Sequence, residues 1–116
     1  MATKGEGFYS VQYVGIAGFG AGVLVFETGM VVGADAGGGL YDGTYTVDTR
    51  RDVIHVKVTL TVAPGVGLVQ GVPPQAQAYK VPIETSIPRN TAGPFLVETG
   101  PGLVAVVMRK IRDFPN

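Results

Sequence analysis

The feature that most restricts this chain's fold is an alternation of period two between residues 54 and 62. Ile54, Val56, Val58, Leu60 and Val62 are apolar, and His55, Lys57, Thr59 and Thr61 between them are polar. Successive side chains of an extended strand point to opposite faces, so this pattern makes one buried and one solvated face. A helix would scatter the same residues around its axis. The rhythm recurs. Tyr9, Val11 and Tyr13 alternate with Ser10 and Gln12; Tyr41, Gly43, Tyr45 and Val47 alternate with Asp42, Thr44 and Thr46. Tyr79, Val81 and Ile83 alternate with Lys80, Pro82 and Glu84. Pro82 has no N–H to give a ladder, which points to an edge or bulged strand.

Turn chemistry separates these runs. Glycine occurs 18 times and proline 8 times, yet 46% of residues are hydrophobic, which argues against disorder. Glu27-Thr28-Gly29 and Glu98-Thr99-Gly100 look like one device used twice: a strand end followed by a glycine of positive φ. Gly37-Gly38-Gly39 and the polar Asp48-Thr49-Arg50-Arg51-Asp52 mark two further turns, and Pro64-Gly65 opens a longer connection that ends at Pro73-Pro74. The spacing predicts strands over about 7–15, 20–27, 29–36, 40–48, 52–63, 76–87, 94–99 and 102–112, with ends uncertain by ~2–4 residues. Mostly short connections favour antiparallel neighbours. Eight such strands close naturally into an up-and-down barrel, which removes exposed edges; a two-sheet sandwich is the alternative. The expectation is an all-β chain with little or no helix, one domain over residues 1–116. The segment Leu103–Ile111 is apolar on both faces until Arg109, which suggests one face in the core and one against a partner or a second copy.

Nine basic and nine acidic residues leave no net charge. That provides no electrostatic footprint for nucleic acid. With no cysteine there is no disulfide, no thiol nucleophile and no cysteine-based metal site, and one histidine excludes sites needing two. No metal or cofactor is expected. Gly7–Phe26 is free of charge and long enough to span a bilayer, but Ser10, Gln12 and five glycines suit a membrane helix poorly. It also lacks a clean small-residue cleavage site. The reading is therefore no membrane insertion and no export, with the cytoplasm as the expected compartment.

Gly18-Phe19-Gly20-Ala21-Gly22 superficially resembles a phosphate loop, but Val23-Leu24-Val25-Phe26 follows where a helix must begin. Gly65-Val66-Gly67 fails for the same reason. His55 is the only imidazole base, and a triad would need Ser10 or Ser86 delivered to it with an oriented carboxylate. Neither serine lies in a nucleophile elbow, so a solvent-facing strand histidine is the simpler reading and no catalytic residue is assigned. Asp35, Asp42, Asp48 and Asp52 match no calcium loop and suit turn and strand-end solvation. Strand aromatics in a barrel either pack or line a ligand cavity. The lining candidates are Tyr9, Tyr13, Tyr41, Tyr45, Val56 and Val58.

The ordered landmarks Gly7-Phe8-Tyr9-Ser10-Val11, Gly20-x-Gly22, Gly33-Ala34-Asp35 and Tyr41-x-Gly43 resemble the GrlR-like family, small regulators named for a negative regulator of type III secretion. The resemblance covers most of the first sixty residues. It implies a calycin-like, lipocalin-like barrel, a cytoplasmic homodimer, and a regulator that binds and sequesters a transcription activator through an acidic exposed turn. The matching stretch here is Asp48, Thr49, Arg50, Arg51 and Asp52, where two arginines replace acidic residues of the family pattern. Two functions follow as expectations, neither of them enzymatic: a protein-binding regulator using the 48–52 turn, and a carrier of a small apolar ligand in the barrel interior.

Overall fold

The computed structural model describes residues 5–89 and 92–115. Eight strands follow in order: β1 (Gly7–Gly15), β2 (Gly18–Glu27), β3 (Met30–Asp35), β4 (Leu40–Asp48), β5 (Val53–Val62), β6 (Tyr79–Pro88), β7 (Phe95–Thr99) and β8 (Gly102–Arg112). Among the described residues there is no helix, and so none long and apolar enough to cross a membrane. The charge-free segment Gly7–Phe26 is the β1–β2 hairpin, paired from Gly7↔Phe26 to Gly15↔Gly18.

All ladders are antiparallel, in the order β6-β5-β4-β3-β2-β1-β8-β7. The first six strands form a meander. β8 then returns to pair with β1, and β7 comes alongside β6, so the sheet rolls into a nearly closed barrel with its seam between β6 and β7. Pro82 sits on the seam strand β6, opposite Thr59. A terminal strand tolerates its missing donor, as an edge position should.

The period-two phase sets what faces inward. Ile54, Val56, Val58, Leu60 and Val62 are all buried along β5. Their registers carry the inner face to Val47, Tyr45, Gly43 and Tyr41 on β4. Gly43 and Tyr41 then pair with Val31 and Gly33 of β3.

The two Glu-Thr-Gly turns differ. Between β2 and β3, Thr28 (φ 50°) and Gly29 (φ 81°) are both left-handed, as a two-residue hairpin that matches strand twist requires. Between β7 and β8 the loop residues are Gly100 and Pro101, and Gly100 carries no positive φ. There the Thr99 hydroxyl closes the turn: it donates to the Gly102 carbonyl at 2.6 Å and accepts from the Gly102 N–H at 3.2 Å. A side-chain bond thus replaces the backbone device.

The turns segregate by end. The β1–β2, β3–β4 and β7–β8 turns and the long β5–β6 connection (63–78) share one end. The β2–β3 and β4–β5 turns, the end of β6, the start of β7 and the end of β8 share the other. The second end is packed solid by Tyr9, Phe26, Val31, Tyr45, Ile54 and Ile87. Phe26, only 1% exposed, meets the Tyr9 ring edge-on at 5.1 Å and the Tyr45 ring at 5.0 Å. Each such pair adds about 0.5–1.5 kcal/mol beyond area burial.

Candidate functional site

Above that packed floor the barrel is hollow. A cavity of about 420 Å³ occupies the upper lumen, within the roughly 300–1,000 Å³ of small-molecule sites. Its walls are apolar: Val11, Leu24, Val58, Ile83, Val106 and Met108 are among them. Several inward positions on β2 and β3 around the lumen are glycines, where neighbouring backbone or the Tyr13 ring approaches closely. Gly20, Gly22 and Gly33 share the inner phase with Tyr13, Val11, Leu24 and Asp35. A Cβ on Gly20 would lie 2.5 Å from the Tyr13 ring, so that ring crosses the lumen over bare backbone.

The β5–β6 connection closes the hollow end. Val66 and Leu68 pack on Leu60, Val62 and Val81. The Val69 carbonyl accepts from the Ala17 N–H at 2.7 Å, and the Gln70 amide donates to Thr99 Oγ1 at 3.1 Å. This cap is therefore tied to two of the turns around the rim. Phe19, 84% exposed, stands at the cavity margin.

Among the described residues, one charged group reaches into the lumen. Asp35 ends β3 in the inward phase of Val31 and Gly33, and its carboxylate serves two masters. Oδ1 accepts from the Gly37 N–H at 3.0 Å and the Gly39 N–H at 2.8 Å, which shapes the β3–β4 turn. Oδ2 accepts from the Tyr13 hydroxyl at 3.1 Å and the Tyr41 hydroxyl at 2.9 Å. Burial, and then the negative charge of Asp35, push the Tyr13 phenol up to about 12. Burial raises Tyr41 still further, helped by Tyr13 and Asp35 beside it. Both hydroxyls therefore keep their protons at neutral pH.

The sequence-based lining candidates divide. Tyr13, Tyr41, Val56 and Val58 line the cavity. Tyr9 and Tyr45 sit beneath it, in the aromatic floor with Phe26. Asp35 was expected only to solvate a turn; it does so with one oxygen, while the other organises the polar end of the cavity. Its signal was its phase: it continues Val31 and Gly33 on the inward face.

Asp48, Thr49, Arg50, Arg51 and Asp52 lie at the opposite, packed end. Asp48 Oδ1 accepts from the Arg50 and Arg51 N–H groups, both at 3.1 Å. The Arg51 N–H is the main reason the Asp48 carboxyl titrates below the usual aspartate range. Asp52 takes a left-handed φ of 55° that completes the loop. The Arg51 side chain is 79% exposed, with its Nε 3.9 Å from Asp48 Oδ2.

The register also delivers Ser86 to His55, a pairing considered from sequence only as a requirement. The two are direct partners across β5 and β6, with Ser86 Oγ 2.5 Å from His55 Nδ1. The other ring nitrogen lies 3.6 Å from Asp48 Oδ2, beyond hydrogen-bond length. The set lies on the outer face of the sheet. Asp48 is already committed to its turn, and Ser86 sits within a regular strand rather than at a strained elbow.

No protein-family model matches the chain, and no curated protein matches it in sequence.

Proposed function

We propose that this protein is a binding module that holds a small, largely apolar molecule inside its barrel. The observation that carries this reading is the apolar lumen of about 420 Å³ above a solid floor, with a few convergent polar groups at one end. An apolar occupant of this volume would make many dispersion contacts with the lumen wall. The reading is binding without turnover. A neutral fluorescent apolar probe, N-phenyl-1-naphthylamine, should bind with one-to-one stoichiometry. Val11→Phe and Val106→Phe together, which fill the lumen from two cavity-lining strands, should weaken that binding at least about tenfold, a change of about 1.4 kcal/mol. Undiminished probe binding by the filled variant would remove the reading.

A second reading is a cytoplasmic, homodimeric regulator of the GrlR-like kind that sequesters a protein partner. It is favoured by the rigidly held 48–52 turn, which presents exposed arginines at the end away from the cavity. The exposed apolar side chains of Val14, Val23 and Val32 on the outer faces of β1, β2 and β3 suit a second copy. Sedimentation of the pure protein tests the dimer. Recovery of a stoichiometric activator-like protein, lost when Arg50 and Arg51 become Glu, tests the regulator. The two readings use opposite ends of the molecule and do not exclude one another.

A further inference from the structure

We infer that the occupant of the lumen is an amphiphile whose polar end donates a hydrogen bond and carries no negative charge, an alcohol or an amine rather than a fatty-acid anion. The inference rests on the cavity-binding reading and names the ligand class of that same site. Its ground is the proton arrangement at the Tyr13–Asp35–Tyr41 end of the lumen.

An ionised carboxylate only accepts hydrogen bonds, with about four lone-pair positions. At Asp35 four donors point at it: Gly37 N–H, Gly39 N–H and the hydroxyls of Tyr13 and Tyr41. Each tyrosine hydroxyl has one proton, and here each proton is directed to Oδ2. The two hydroxyls also lie within reach of each other, so what their oxygens retain for a ligand is the rest of their acceptor capacity. The carboxylate therefore sets the polarity of the whole end: it aims both phenolic protons at itself and leaves acceptors for a ligand. Hydrogen-bonded chains of this kind also strengthen one another in low-dielectric surroundings. The raised phenol pKa values fit the same picture, since neither tyrosine gives up its proton near neutrality.

A head group entering this end meets one negative charge and the remaining acceptor capacity of two hydroxyls. A second carboxylate would be repelled and would lack donors, and a buried charge without a partner is strongly disfavoured. A hydroxyl or an ammonium supplies the missing donor. Most of the remaining wall accepts a hydrocarbon body, with Val11, Leu24, Val58, Ile83, Val106 and Met108 among it; its other polar side chains are neutral, Gln70 donating to Thr99 and Thr99 to the Gly102 carbonyl, with the Thr85 hydroxyl lower down.

Four ligands with one chain length test this, each competing with N-phenyl-1-naphthylamine on the full chain at neutral pH: dodecanol, dodecylamine, methyl dodecanoate and dodecanoate. Dodecanol or dodecylamine should displace the probe at least about tenfold more effectively than dodecanoate, and better than methyl dodecanoate, which has no donor. The first two separate a neutral donor from a cationic one. In Tyr13→Phe with Tyr41→Phe, the probe should still bind while the preference for the alcohol is lost. In Asp35→Asn, discrimination against dodecanoate should shrink. Equal displacement by dodecanoate and dodecanol overturns the donor rule while leaving the cavity reading intact, as does equal displacement by methyl dodecanoate. Failure of the probe itself to bind removes the cavity reading, and the donor rule with it. Should Asp35→Asn not fold, the double Phe variant decides the matter alone.

Discussion

The two halves of the lumen are built on the same strands with the same alternation, yet one is solid and the other encloses a cavity. At the floor, inward positions carry Tyr9, Phe26, Val31, Tyr45, Ile54 and Ile87, and their rings interlock edge to face. One strand turn higher, the inward positions of β2 and β3 fall to Gly22, Gly20 and Gly33, and the tyrosines that remain reach across to a carboxylate. The floor is ordinary protein interior, where close packing supplies stability. The upper half gives up that packing, and there Asp35 orients two hydroxyls. The difference separates close packing at one end from open apolar volume at the other.

Substitutions can break this comparison directly. Removing the ring of Phe26, as Phe26→Ala, should destabilise the fold by about 3–5 kcal/mol in chemical denaturation. A loss below that of a typical surface change would mean the floor is not the stability centre. Asp35→Ala leaves four donors without their acceptor and should cost about 2–3 kcal/mol, since bonds to a charged group weigh most. Enlarging a residue sorts the halves. Val31→Phe, at a fully buried floor position, should cost about 1–3 kcal/mol by overpacking, whereas Val11→Phe should cost less because the hollow receives the ring. Equal penalties would contradict an open upper lumen.

An alkaline titration sharpens the comparison without changing volume. The Tyr13 phenol is raised to about 12 when folded, against about 10 when unfolded. The unfolded state then loses this proton first, so the contribution is fully present below about pH 10 and declines as pH rises toward about 12. Tyrosinate absorbance should show late ionisations, of which Tyr13→Phe removes one. The smallest effect belongs to the far end. Arg50→Glu with Arg51→Glu should shift stability by no more than about 0.5 kcal/mol, because these side chains are exposed while the turn is held through backbone N–H groups. Equilibrium unfolding of the double variant checks it.

Much of the fold was legible in the chain because a strand's facing repeats every two residues. That rule places Ile54, Val56, Val58, Leu60 and Val62 inside without any knowledge of their neighbours, and all five are buried. Pro82 at the seam followed from the donor it lacks. The site was only half legible. Tyr9, Tyr13, Tyr41 and Tyr45 have equivalent local patterns, yet two support the floor and two reach the cavity. Nor did the local sequence show that Ser86 would meet His55 across 31 residues, or that two similar Glu-Thr-Gly turns would close by different bonds.

The amino-acid order alone determined which residues turn inward and where the chain reverses, because both are set by torsions and side chains within a few neighbouring positions. Only the rolled sheet decided which inward positions would be crowded and which left open. Free space in a barrel is a property of what stands opposite, and residues such as Gly20, Tyr13, Asp35 and Tyr41 become one site through strand register and curvature together.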